Sequence, residues 1–116
     1  MTIPTEGQLL RIFVGEADRW EGKPLYEAIV EVARRQGLAG ATVWKGFMGF
    51  GAHSRMHTAK ILRLSEDLPI VIEIVDAAEK IRAFLPTLDR MVAEGLVTLE
   101  RAEVLLYRAP RGESRP

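Results

Sequence analysis

At 116 residues, with 47% hydrophobic and 28% charged residues, the chain has the make-up of one soluble globular domain and is too short for two cores. Sixteen basic and sixteen acidic side chains cancel, so whole-molecule attraction to nucleic acid or to an anionic membrane finds no support. The absence of cysteine removes disulfides, thiolate metal sites and cysteine nucleophiles together. No apolar run approaches the ~20 residues of a membrane helix and no signal-peptide core precedes the first strand, so a cytoplasmic protein without membrane insertion is expected.

Taken in chain order, Gln8 to Gly15 alternate as a strand, with Leu10, Ile12 and Val14 on one face and Leu9, Arg11 and Phe13 on the other. Glu16 to Gly22 read as a polar loop. Pro24 suits the first turn of a helix, where its missing N–H has no helical partner. Leu25, Ala28, Ile29, Val32 and Ala33 then mark one buried helical face, and Gly37 is its stop. Ala41 to Phe50 are strand-like, thinned by Gly46 and Gly49, with Gly51 just beyond. Ala52 to Thr58 read as loop, Lys60 to Leu64 as a short return strand, and Ser65-Glu66-Asp67 as a turn.

Leu68 to Val75 give the strongest strand pattern, with Ile70, Ile72 and Ile74 on one side and Val71, Glu73 and Val75 on the other. Asp76-Ala77-Ala78-Glu79 resemble a capping box with Asp76 as acceptor. Ile81, Phe84, Leu85, Leu88, Met91 and Val92 follow as a second amphipathic helix, in which Pro86 predicts a kink or a split. Gly95 closes it, Leu96 to Tyr107 read as a last strand, and residues 108–116 as a disordered polar tail. The order strand, helix, strand, repeated once, predicts an α+β fold over residues 8–107. It is a ferredoxin-like βαββαβ sandwich, a four-stranded antiparallel sheet with both helices on one face.

The other face of that sheet is then expected to carry Leu9, Phe13, Val71, Val75, Leu99 and Leu105, interspersed with Arg11, Glu73, Arg101 and Glu103. Such a face is too apolar for water and predicts burial against other subunits.

Charge is unevenly placed. Residues 1–31 hold six acids and three bases, residues 32–65 no acid and six bases, and residues 66–116 ten acids and seven bases. A basic centre in a neutral protein points to a small anionic ligand rather than to nucleic acid. The glycines run G-x-x-G-x-G, which is neither a dinucleotide fingerprint nor a P-loop. What the spacing allows is a bare backbone wall for a ligand, or a bend where strand meets loop. Arg55 is the best oxyanion contact by virtue of its forked donors. His57 donates to an anion or caps the loop; His53 and His57, without a third ligand, make a poor zinc site. No nucleophile context accompanies any serine, and no cofactor is implied, so binding rather than catalysis is expected.

Several segments together resemble a known family: Lys23 to Ile29, Gly40 to Val43 with Gly46 to Gly51, His57-Thr58, Leu64 to Glu73, and Met91 to Thr98. The chain is similar to the PII-like family catalogued as domain of unknown function 190. The resemblance implies a homotrimer with sheets facing inward and small anionic ligands, adenine nucleotides among them, in clefts between subunits. It also implies signalling through the loop at 49–64 and, in some relatives, a membrane-transporter partner such as a fluoride channel. PII signalling proteins carry a Gly-Asp-Gly-Lys turn before the last strand; the corresponding region here is Ala93-Glu94-Gly95-Leu96-Val97-Thr98, which lacks the lysine and holds an acid. The loop has no tyrosine to modify. The resemblance therefore carries over only the loop-base glycines and nearby bases, giving Lys45, Gly46, Gly49, Gly51, Arg55 and His57 as the candidate ligand site. Two alternatives follow from the same fold: a ligand-independent module that regulates a transporter or enzyme, and a metal-binding trimer of the CutA kind.

Overall fold

The structure, a computed structural model, describes residues 6–51, 57–58 and 67–109, with only the backbone of the pair 57–58. Its elements in order are β1 (Glu6–Gly15), β2 (Arg19–Trp20), β3 (Lys23–Pro24), α1 (Leu25–Arg35), β4 (Thr42–Lys45), β5 (Met48–Gly49), β6 (His57–Thr58), β7 (Pro69–Asp76), α2 (Ala78–Met91) and β8 (Leu96–Glu103). Four of these strands form one antiparallel sheet in the order β4-β7-β1-β8. The fold is the expected ferredoxin-like sandwich.

The core lies between one sheet face and the two helices. Leu10, Ile12 and Ile72 are fully buried, as are Ile29 of α1 and Ile81 and Phe84 of α2. The alternation of β7 makes this possible, since Ile70, Ile72, Ile74 and Asp76 all point inward while their neighbours point out. Helix α1 ends in a Schellman motif, with Gly37 N–H donating to the Arg34 carbonyl and Leu38 N–H to that of Ala33. Gly37 takes a φ of +83°, which suits glycine. Arg34 and Arg35 occupy the last turn of α1, where they complement the helix dipole.

Several expectations need correction. Glu16 to Gly22 are not wholly loop: Arg19–Trp20 and Lys23–Pro24 pair across a two-residue turn in which both Glu21 and Gly22 have positive φ, a type I′ hairpin. Pro24 precedes α1 as its N-cap rather than lying within the first turn. Asp76 does not cap α2; the N-cap position is Ala77, and no side chain makes a capping bond to the first turn of the helix. Instead Asp76 is buried, and its carboxylate accepts the N–H of Ala77 at 2.7 Å and of Ala39 at 2.9 Å. Helix α2 runs through Pro86 without a split. Pro86 and Arg82 are both exposed, so water can serve the carbonyl that loses its partner.

The phase of the last strand also differs. Strand β8 stops at Glu103, and its register places Leu99 opposite Leu10 and Arg101 opposite Gln8. Leu99, Arg101 and Glu103 therefore lie on the helix side, and Leu105 lies beyond the strand. Leu96, Thr98, Glu100 and Ala102 take their place on the open face. With apolar Leu96, Val97 and Leu99 falling on both faces, this segment has no clean period of two. Residues 110–116, most of the predicted tail, lie outside the described residues.

Candidate functional site

The candidate site sits at the end of the sheet where β4 leaves and β7 begins. Gly46 N–H donates to the Pro69 carbonyl at 2.7 Å, carrying the β4–β7 ladder one step past Lys45. Phe47 interrupts the pairing, after which Met48 and Gly49 pair with Thr58 and His57. The single strand expected over Ala41 to Phe50 is thus two short ones, because the chain bends at Phe47, just past the last bond to β7. His57 and Thr58, read from sequence as loop, belong to this second ribbon. Arg55, His53 and the predicted return strand Lys60 to Leu64 lie outside the described residues, as does the side chain of His57.

The glycines divide by what stands against them. A Cβ on Gly46 would come within 2.8 Å of the Pro69 ring, and one on Gly49 within 3.2 Å. These two positions are small because Pro69 packs against their backbone, an internal reason for glycine. At Gly51 a Cβ would meet nothing within 4 Å. Of the three, only Gly51 presents open backbone. The structure thus brings Lys45, Gly46, Gly49 and the backbone of His57 to one end of the sheet, with Gly51 beside them.

Lys45 is already engaged, its ammonium lying 2.7 Å from the Glu16 carboxylate. Glu16 lay in a stretch read only as polar loop, and no local motif announces a partner so distant in sequence. The neighbouring acids are also committed: Asp18 accepts Gly15 N–H at 2.9 Å, and Asp67 accepts Ala17 N–H at 2.8 Å. Beside this paired charge, Phe47, Met48 and Phe50 are exposed, Phe47 to 71% and Phe50 to 67%.

The open face of the sheet meets the same end. Register places Trp44, Val71, Phe13 and Leu96 in one apolar row across all four strands. Trp44 is 57% exposed and Leu96 55%, while Val71 and Phe13 are half-buried. The next row is polar: Thr42, Glu73, Arg11 and Thr98. Within it Arg11 Nε lies 2.9 Å from one Glu73 oxygen, and the Trp44 indole N–H donates to the other at 2.8 Å. Arg11 also faces Glu100 at 3.8 Å.

The Trp44 hydrogen bond, reinforced by Arg11, holds the Glu73 carboxyl below the usual carboxylate range. A depressed folded-state value contributes stability above the ordinary carboxylate pKa and loses it as pH falls through the lowered one. In urea titrations the parent chain is therefore expected to be more stable than Glu73→Gln at pH 7. That difference should shrink below about pH 4 as the carboxylate takes up its proton. A difference independent of pH would show that the charge on Glu73 contributes nothing.

Among the described residues no group of three His, Cys, Asp or Glu side chains could hold a metal, and no helix is long and apolar enough to cross a membrane. Compared with known proteins, residues 7–104 match the sequence profile of the DUF190 family, described as "Uncharacterized ACR". A UPF0166 protein of Aquifex aeolicus is 42% identical over 98 residues, covering 84% of this chain and 92% of the relative. A UPF0166 protein of Methanocaldococcus jannaschii is 36% identical over 100 residues, covering 85% and 92%. Among solved structures, CPII, a nitrogen regulatory PII-like protein of Thiomonas intermedia K12 bound to ADP, AMP and bicarbonate, superposes with a TM-score of 0.59. The match is at 20% identity over 85% of this chain and 88% of CPII. A second CPII structure, bound to ADP and bicarbonate, gives 0.58 at the same identity and coverage. The likeness to CPII shows a shared fold, while the profile and the two UPF0166 relatives fix the lineage: the chain belongs to the DUF190 family, with a PII-like fold.

Proposed function

We propose that this chain is a cytoplasmic, non-catalytic PII-like regulator that assembles as a homotrimer through its open sheet face. In this reading it binds a small oxyanion ligand, an adenine nucleotide or bicarbonate, near Lys45 and Gly51. It passes that event to a partner protein, a membrane transporter among the candidates, through the loop at 49–64. The observation that carries the reading is the apolar row Trp44–Val71–Phe13–Leu96. It crosses a whole sheet face and ends beside the root of the loop, so a subunit boundary there would also border the candidate site. The ligand class is suggested by what CPII holds on the same fold and by the acid-free basic segment of this sequence.

Two measurements test it together. Light scattering should give three times the 13.0 kDa chain mass. Isothermal titration with ADP, AMP and sodium bicarbonate should give saturable binding of at least one. A monomer removes the subunit-cleft reading; a trimer that binds none of the three favours the ligand-independent module instead.

A further inference from the structure

Glu16 and Lys45 stand on opposite flanks of one strand end. Glu16 N–H donates to the Leu68 carbonyl at 2.8 Å, and Gly46 N–H, next to Lys45, donates to the following carbonyl, Pro69, at 2.7 Å. Consecutive carbonyls thus anchor the backbone at both ends of the pair. The 2.7 Å contact between the two side chains arches over the point where the chain returns from the loop into β7. Asp67 adds a further tie there by accepting Ala17 N–H. Most surface ion pairs join two freely moving side chains and contribute little. This one joins two fixed backbones and leaves Lys45 half exposed, open to a competing anion.

We propose that the Lys45–Glu16 pair is a latch at the loop root, opened when an oxyanion ligand takes the place of the Glu16 carboxylate on the Lys45 ammonium. A carboxylate, a phosphate and a bicarbonate offer an ammonium the same kind of acceptor oxygen. A ligand anion seated on Lys45 with Glu16 still in place would put two negative charges side by side, which their repulsion disfavours. Exchange of partners follows. Once Glu16 is displaced, the tie over Leu68 and Pro69 is lost, and the root of the loop gains freedom at the moment the ligand arrives. This rests on the sensing reading above and adds to it a built-in competitor that sets affinity and couples binding to the loop.

The test uses the full chain and four forms: parent, Glu16→Gln, Lys45→Ala and the double variant, each titrated separately with ADP, AMP and sodium bicarbonate. Glu16→Gln should bind whichever probe the parent binds about two- to fivefold tighter, the range that an exposed ion pair can supply. The gain should vanish in the Lys45→Ala background, because there is no ammonium left to contest. Hydrogen exchange of the Gly46 and Gly49 amides should also quicken several-fold in Glu16→Gln without ligand. Equal affinity in parent and Glu16→Gln overturns the latch while leaving the sensing reading intact. A gain that persists without Lys45 overturns it too, as a long-range charge effect. Absence of binding in both parent and Glu16→Gln overturns latch and reading together.

Discussion

Gly95→Ala is expected to destabilise the domain by about 3 kcal/mol and to lower Tm by roughly 12–15 °C, read from a far-UV thermal melt. Gly95 joins α2 to β8 with a φ of +156°, and a Cβ there would stand 2.5 Å from the Phe13 carbonyl oxygen. Phe13 cannot yield, because β1 is paired on both sides, to Val71 of β7 and to Leu96 of β8. The Val92 and Val14 side chains crowd the same point at 3.2 and 3.4 Å. The added methyl group must move a central strand or an edge strand, and either costs ladder bonds. Gly51→Ala is the control: it meets no atom within 4 Å, and its Tm should stay within a degree or two of the parent. Equal melts for Gly95→Ala and the parent would show that the α2–β8 junction bends freely.

On the proposed trimeric assembly, Val71→Asp is expected to leave a folded monomer. Val71 lies at the middle of the apolar row, between Trp44 on one side and Phe13 on the other, yet its side chain points away from the helical core. Within one chain the new carboxylate reaches water at little cost. Buried and unpaired between subunits, it would cost about 3 kcal/mol or more at each boundary, a factor beyond a hundred in association. Light scattering should then fall to 13.0 kDa with an unchanged far-UV spectrum. A Val71→Asp trimer would mean that some other surface holds the assembly. Because the row ends at Trp44, loss of assembly should also weaken any ligand that lies across the boundary.

Much of this architecture was legible in the sequence. The isoleucines of β7 alternate so regularly that the buried face follows from spacing alone, and Leu25, Ala28, Ile29 and Ala33 announce α1 in the same way. What escaped depends on partners remote in the chain. The phase of β8 is set by pairing Leu99 with Leu10, a choice its own residues do not dictate. Asp76 resembles a helix cap locally, but the Ala39 amide, brought close only by the fold, claims its carboxylate. At the candidate site, the glycine spacing allowed either a bare wall or a bend where strand meets loop, and Pro69 stands against two of the three positions. Lys45 was legible as a base near the loop, whereas its occupation by Glu16 was not.

The strand order has a consequence for how such a protein can change. Strand β1 finds both its neighbours, β7 and β8, in the second half of the chain, and β4 finds its one neighbour, β7, there as well. Neither half can close a sheet alone, so the halves must fold as one interleaved body. Among the described residues the connection between β4 and β7 adds no strand to that sheet, so the pairing of the sheet does not fix its length. By loop-closure entropy, doubling such a connection costs only about 0.6 kcal/mol. Insertions, deletions and new recognition residues can accumulate there while the core sequence stands still, so descendants of one fold can come to answer different molecules without refolding.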